Sequence, residues 1–559
     1  MSNLSSTKNT IEKILRPLDR LSANPNARRV TYAVALIFFV SMILIPPIIG
    51  VVLKWNLIGD TLQNPILVAR AESAILASFA IASIVSILDL IAGLPTAWFI
   101  VRRKAKWINV VDTLADIPFV IPTVALGFSI LVFWSQPQGI SGLLRIESLI
   151  SPGLGLIMLL HFAFSYPIIV RIMVGELQSY DQVYEIAGRT LGASSLTAAR
   201  TITLPILKPA LVSAFLLAFC RSLSETGATA VVAGAFENGP IFIRNALSSV
   251  PPQQGPMVLV SLVLIVTSCA IFAFISILGP RLRFPVKKVW PNFEKRLSNP
   301  KSTLGRDGLA LIVFAIFVAI PSLFVALPGI IAFTDGTVVA AFTGAGVWGV
   351  YWGSLLTSYV VALAATLMNL LVGFPMAVII TRRKFGTQVT ALLNALISIP
   401  ITIPSVALGV SLSLFWTAFG NLPELWTLIL VHTTITYTYF VQAMAAAIES
   451  VPEELESVAR TLGAHPFETF RKILIPLTKY SIFSGAIMVL TRSVDETGAT
   501  TAVLAATSQI KTAPVLLVNW IRNPASVGGQ SVVGLGVLFL VLTTFISLLV
   551  IRLVLRRER

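Results

Sequence analysis

Residues 185–193 read Glu-Ile-Ala-Gly-Arg-Thr-Leu-Gly-Ala, and residues 456–464 read Glu-Ser-Val-Ala-Arg-Thr-Leu-Gly-Ala. In each stretch an Ile stands ten residues beyond the Gly of the shared run, and a Pro closes the segment: Ile202-Thr-Leu204-Pro205 and Ile473-Leu-Ile475-Pro476. The two stretches are 271 residues apart (456 − 185) and lie between long apolar blocks. At 1.5 Å per residue, a helix of about twenty residues crosses about 30 Å of hydrocarbon. Each stretch therefore reads as a polar loop between two membrane spans.

The whole chain supports that reading. Of 559 residues, 56% are hydrophobic and 12% charged, with a mean hydropathy of +0.87. Ordinary globular domains carry about a quarter charged residues, so a soluble fold is excluded. Twelve spans are expected, at 31–53, 74–101, 112–134, 154–176, 209–232 and 257–279, then 308–330, 354–381, 395–417, 425–447, 482–503 and 532–552. Runs of this length span as helices, because lipid leaves backbone groups no other partner. The expected class is an all-α polytopic membrane protein.

Charge gives the orientation. Of the 41 basic residues, those in Arg102-Arg103-Lys104, Arg281, Arg283, Lys287, Lys288, Arg382-Arg383-Lys384 and Arg556-Arg557 fall on one side, and Lys54, Arg70, Arg145, Arg244, Lys511 and Arg522 on the other. The positive-inside rule makes the richer side cytoplasmic, with both termini there. The formal net charge of +16 therefore faces the lipid bilayer and not nucleic acid. No cleavable signal is expected: a polar stretch ending in Arg28-Arg29 precedes a span too long for a signal core. Cys220 and Cys269, the two cysteines, both fall within spans and suggest neither a disulfide framework nor a metal site.

The halves repeat one another. Gly93-Leu94-Pro95 with Arg102-Arg103-Lys104 matches Gly373-Phe374-Pro375 with Arg382-Arg383-Lys384 at an offset of 280 (373 − 93). Pro118, Pro122 and Val124-Ala125-Leu126-Gly127 match Pro400, Pro404 and Val406-Ala407-Leu408-Gly409 at 282 (400 − 118). From the fourth span the offset settles at 271, as in His161 and His432. Six spans per unit give both units the same orientation, related by a pseudo-two-fold axis along the membrane normal. The expected divisions are a cytoplasmic tail (1–30), a first repeat (31–280), a cytoplasmic linker (281–307) and a second repeat (308–559). The prolines of the third and ninth spans should break or kink them.

The duplicated loop resembles the E-A-A-x-x-x-G-x(9)-I-x-L-P loop of ATP-binding-cassette importer permeases. One departure is that Ile186 and Ser457 hold the consensus Glu position, while Glu185 and Glu456 stand one residue earlier. Physically, Gly192 and Gly463 suit the left-handed turn ending a short helix, and Pro466 suits the first turn of the next. The resemblance implies the type I importer permease fold, built from two parallel six-helix repeats. It makes Glu185, Arg189, Gly192, Glu456, Arg460 and Gly463 the loops that dock on an ATPase. No Gly-x-x-x-x-Gly-Lys-Ser/Thr phosphate loop occurs in the chain. The implied partners are thus two copies of a separate ATPase subunit and an extracytoplasmic solute-binding protein, in a prokaryotic inner membrane. No enzymatic activity or cofactor is expected of this chain itself.

Within the fifth and eleventh spans, Arg221-Ser-Leu-Ser-Glu225-Thr-Gly-Ala-Thr229 matches Arg492-Ser-Val-Asp-Glu496-Thr-Gly-Ala-Thr500. Intramembrane charges are costly and mark pathways, and i, i+4 spacing lets each Arg neutralise its Glu on one helix face. These six residues, with Thr123 and Ser405 after the Pro-rich breaks, are the candidates for pathway or gate. Helix-to-helix pairing is the blander role for the charges. His161 and His432 lack further ligands nearby and read as core histidines rather than a metal site. His465 reads as a helix cap. The Glu-Thr-Gly-Ala stretch is similar to a Gly-Glu-Phe-Gly-Ala segment of molybdate and sulfate permeases. Fusion of two halves resembles ferric iron, thiamine or phosphonate permeases, and on that ground ferric iron is the expected solute. An ion-coupled secondary transporter using Glu225 and Glu496 is the rival class, but it leaves the duplicated loop unexplained.

Overall fold

The computed structural model describes residues 17 and 19–556, apart from residues 104, 250, 279–289, 383–386, 421 and 505–507. The expected tail up to residue 16, the first part of the linker, and Lys104, Arg383, Lys384 and Arg557 lie outside the described residues. Within them every regular element is helical.

The first half opens with α1 (Pro25–Val52) and α2 (Pro65–Arg102). Asn24 and Asn64 cap these helices with their side-chain oxygens, and a proline fills the first helical position of each. The third span is broken, with α3 (Ile108–Val120) and α4 (Thr123–Leu143) meeting at 110°. Extended backbone at Ile121 and Pro122 makes the corner. Helix α5 (Leu154–Ser179) runs through the middle of this half. The loop helices α6 (Val183–Thr190) and α7 (Ser195–Ile206) follow, then α8 (Lys208–Ser224), α9 (Gly227–Val232), α10 (Gly239–Ser248) and α11 (Gln254–Leu278).

A short helix α12 (Pro291–Leu297) leads into the second half. There α13 (Pro300–Ile331) and α14 (Trp348–Arg382) precede a second broken span, α15 (Val389–Thr402) and α16 (Ser405–Gly420), bent by 101°. Next come α17 (Glu424–Glu449), α18 (Glu453–Thr461), α19 (Pro466–Val494), α20 (Gly498–Val503), α21 (Ala513–Arg522) and α22 (Gln530–Arg556).

Eight helices are long and apolar enough to cross a membrane, and three bent pairs bring the number to eleven. The expected tenth span, α17, is 26 residues long but too rich in threonine to qualify by hydropathy. Thr433, Thr434 and Thr436 return their hydroxyls to the carbonyls four residues earlier, so their polarity is satisfied inside the helix. Elsewhere the apolar surface faces outward: Leu356, Leu363, Leu367 and Leu371 form an exposed stripe on α14, as a lipid-facing helix requires.

Two features depart from the expected layout. The fifth and eleventh spans, expected at 209–232 and 482–503, are each interrupted, between Ser224 and Gly227 and between Val494 and Gly498. The first helices are also exchanged between halves. Helix α1 lies on the second half, where Val51 N–H donates to Ser411 Oγ at 3.1 Å, Ser411 Oγ donates to the Pro46 carbonyl at 3.1 Å, and Phe39 stacks on Tyr437. Helix α13 lies on the first half, where Ser129 Oγ donates to the Pro321 carbonyl and Tyr166 stacks on Phe314. The two contacts correspond, since Ser411 and Ser129 differ by 282 (411 − 129) and Pro321 and Pro46 by 275 (321 − 46).

Candidate translocation site and coupling loops

Both duplicated loops share one geometry. Gly192 and Gly463 end α6 and α18 at φ 96° and 90°, in the left-handed region where a Cβ is strained. Glu185 is 2.9 Å from Arg102, and Glu456 is 2.8 Å from Arg382. Each loop is thereby tied to the C-terminal end of the second helix of its own half. The first arginine of each Arg-Arg-Lys run and the displaced glutamate, separate motifs in the sequence, are partners in space. Arg189 and Arg460 stay exposed, Arg460 lying 3.4 Å from Glu456. Between them and the glycines, Leu191 and Leu462 project 89% and 84% exposed.

Helices α4, α9, α16 and α20 converge at the pseudo-two-fold axis. Thr123, Glu225, Thr226, Gly227, Ser405, Arg492, Asp495, Glu496, Thr497 and Gly498 enclose a cavity there of about 10 Å³. That is room for one water at most, so the two halves are closed on one another at this level. The closure is made by small residues packed across the axis. A Cβ on Gly227 would lie 2.7 Å from Thr497, and one on Gly498 would lie 2.9 Å from Thr226.

Of the eight pathway candidates, Thr123, Glu225, Ser405, Arg492 and Glu496 line this cavity. Thr229 and Thr500 turn away from it, toward His161 and His432 at 2.9 Å. Each His also reaches Ser222 or Ser493 at 2.8 Å. One imidazole thus bridges the helix before each break to the helix after it. Both histidines are buried core residues with both ring nitrogens partnered.

The expected Arg–Glu pairs form in one half alone. Arg492 is 3.1 Å from Glu496 and 3.6 Å from Asp495. Among the described residues no ion pair joins Arg221 to Glu225. Glu225 has extended backbone, and its carboxylate accepts from Ala228 N–H at 2.8 Å. Arg221 instead lies over the Phe164 ring, 3.9 Å from its centroid. Sequence accounts for the difference. At the position matching Phe164 the second half has Ile435 (164 + 271), and at the position matching Asp495 the first half has Ser224 (495 − 271). One arginine has a ring and no second carboxylate; the other has the reverse.

Asp495, which is not among the candidates read from the sequence, joins the halves. Its Oδ1 accepts from Thr123 N–H at 2.5 Å and Thr123 Oγ1–H at 3.0 Å, capping α4 of the other half. The matching contact is weaker: Ser405 Oγ donates to the Ser224 carbonyl at 3.3 Å. An acidic residue beside a Glu was the available signal, but a partner 372 positions away leaves no local trace.

An all-helical chain with repeated broken spans, exchanged first helices and paired duplicated loops is a polytopic transport permease. Comparison with known sequences agrees: residues 89–284 and 370–559 each match the binding-protein-dependent transport system inner membrane component family. The chain belongs to that family, the membrane component of ATP-binding-cassette importers, which work with an ATPase and a binding protein. It is 32% identical over 206 residues to the sulfate transport system permease protein CysT of Salmonella typhimurium, covering 35% of this chain and 72% of that protein. It is 32% identical over 226 residues to the molybdate/tungstate transport system permease protein WtpB of Pyrococcus abyssi, covering 39% of this chain and 86% of that protein. A match to WtpB of Methanocaldococcus jannaschii, 26% identical, spans 97% of that protein and 44% of this chain. Each relative thus matches less than half of this chain. The matches lend nothing to ferric iron.

Proposed function

We propose that the chain forms both halves of the pathway of an oxyanion importer, with one ATPase copy seated under each duplicated loop. The observation that carries the coupling role is the pair of leucines, Leu191 and Leu462. Each stands almost wholly exposed beside a left-handed glycine, on a loop anchored to its own half by an arginine–glutamate pair. An exposed apolar tip on a rigid stem fits a groove on a partner.

In this reading MgATP draws the two ATPases together and the loops follow. The helices behind the loops then part the small residues at Gly227 and Gly498, and the axis opens outward to receive solute from the binding protein. The relatives named for sulfate and for molybdate or tungstate favour an oxyanion over ferric iron. That reading rests on the relatives and not on the closed cavity, whose lining sets Glu225, Asp495 and Glu496 against the guanidinium of Arg492. The fused halves, which suggested ferric iron, describe how the genes are joined and not what is carried.

Two measurements test this. The affinity-tagged chain, purified gently from its own host, should bring down one ATPase in twofold excess over the permease. In cells, deletion of the chain should abolish uptake of radiolabelled sulfate or molybdate and leave ferric iron uptake intact. Reproducible purification without an ATPase would sink the coupling role, and loss of iron uptake alone would sink the oxyanion.

A further inference from the structure

The coupling loops are each gripped by a segment from the other half. In the first loop, Leu196 N–H donates to Ser298 Oγ at 3.0 Å, and Ser298 Oγ donates to Ser194 Oγ at 3.1 Å. Thr197 donates its hydroxyl to Glu294, and Arg200 is 2.5 Å from the same carboxylate. Ser298 and Glu294 belong to the segment that runs into α13. In the second loop, Phe467 N–H donates to Ser22 Oγ at 3.0 Å, and Arg471 is 3.9 Å from Asp19. Ser22 and Asp19 belong to the segment that runs into α1. The gripped positions correspond, since both Phe467 and Leu196, and Arg471 and Arg200, differ by 271.

The far ends of the same helices touch the axis elements. Helix α13 runs from this grip to Pro321, whose carbonyl accepts from Ser129 on α4, and α4 begins at Thr123 in the axis cavity. Helix α1 runs from its grip to Pro46 and Val51, both bonded to Ser411 on α16, and α16 begins at Ser405 in the same cavity.

We infer that the exchanged first helices are connecting rods: α13 carries motion of the first loop to α4, and α1 carries motion of the second loop to α16. Glu294, Ser298, Ser22 and Asp19 are then positioning residues that fasten rod to loop. The first fastening is the stronger. Glu294 is buried, and the Thr197 hydroxyl, with help from Arg200, holds its carboxyl below the usual glutamate range. Asp19 meets Arg471 at a longer distance, and its Oδ1 has no hydrogen-bond partner. A helix packed along its length transmits displacement with little loss because protein interiors are nearly incompressible.

The inference rests on the coupling role proposed for the loops, and the test separates the two. In a Cys220→Ala/Cys269→Ala background, Thr123→Cys and Ser405→Cys are made singly in the complete complex in lipid discs. Labelling by a membrane-impermeant thiol reagent is timed with and without MgATP plus vanadate. With both rods fastened, nucleotide should raise the labelling rate about tenfold at either position. With Glu294→Gln/Ser298→Ala added, the rise should shrink to about twofold at position 123 and persist at 405. The exchange Glu294→Arg/Arg200→Glu should restore it at 123. A full nucleotide response at 123 despite the cut fastening overturns the rods, as does an equal loss at both positions. No response at either position in the uncut complex, or no ATPase in it, overturns the coupling role instead.

Discussion

In the second half of the molecule an arginine at the axis lies between two carboxylates; in the first half its counterpart lies on an aromatic ring. Arg492 is neutralised by Asp495 and Glu496, while Arg221 is held over Phe164 and Glu225 serves as a helix cap. The same backbone break therefore tolerates two electrostatic solutions. Duplicated halves keep the geometry that a shared movement needs, and diverge in the side chains that set the charge around it. Asp495 adds one carboxyl to the axis that the first half, with Ser224, does not match.

The largest effect that distinguishes the halves is the coupling energy within each Arg–Glu couple. A double-mutant cycle of Arg492→Ala and Glu496→Ala should be strongly non-additive. Each single change leaves a buried charge under-compensated, at about 3–5 kcal/mol, and the double recovers much of that. The cycle of Arg221→Ala and Glu225→Ala should show a clearly smaller coupling energy, because no ion pair joins the two side chains among the described residues. Equal coupling in both halves, read from unfolding in detergent, would erase the contrast.

A somewhat smaller effect lies at a matched pair of close helix crossings. A Cβ on Gly409 would come 2.5 Å from the Ala499 Cα, and one on Gly127 would come 2.9 Å from the Ala228 Cα. Both neighbours are backbone and cannot rotate away, so valine at either site should cost about 1–3 kcal/mol or more. Gly409→Val should lower folded yield further than Gly127→Val, and the opposite ranking would show that the second half has more slack.

The ring itself can be exchanged. Phe164→Ile should destabilise by about 1–2 kcal/mol, through the lost cation–π contact and lost packing around Arg221. Ile435→Phe should fail to draw Arg492 off its carboxylates, so the Arg492–Glu496 coupling energy should survive it. If that coupling disappears, the ring and not the second carboxylate decides where the arginine goes.

The smallest effect is expected deep in the second helix of the first half. Asp89 is fully buried and accepts from Ser165, and its counterpart on α14 is Asn369, which donates to Thr436 at 2.8 Å. An amide already does this work in one half. Asp89→Asn should therefore change stability by less than about 0.5 kcal/mol, measured by thermal unfolding with and without lipid. A large loss would mean that Asp89 has a charged partner on opening.

The helices, the repeat and the left-handed glycines were legible because each is written locally: apolar length, proline and glycine punctuation, and a motif copied at a fixed offset. The site was legible in part. Thr123, Glu225, Ser405, Arg492 and Glu496 announced themselves as polar residues in apolar runs, and they meet in one cavity. What was hidden depends on neighbours distant in the chain. The Arg221–Phe164 contact, the Asp495 cap on Thr123 and the exchange of α1 and α13 all join elements whose sequences carry no address for one another. An apolar helix states that it must be covered, not by what. The breaks at Glu225 and Glu496 were masked for a further reason. Gly227 and Gly498 follow runs apolar enough to read as continuous spans, and no local signal marks that each helix stops at Ser224 or Val494 and restarts.

The exchange of first helices also bears on how the chain is made. Val51 finds its hydrogen-bond partner at Ser411, 360 residues later. At about 5–20 residues per second, a ribosome needs roughly 20–70 s to deliver that partner. For that interval α1 is in the membrane without its seat, whereas the first half gains its own covering helix, α13, as soon as residues 300–331 are made. Translation order, and not merely sequence, sets which surfaces of the newborn protein need shelter.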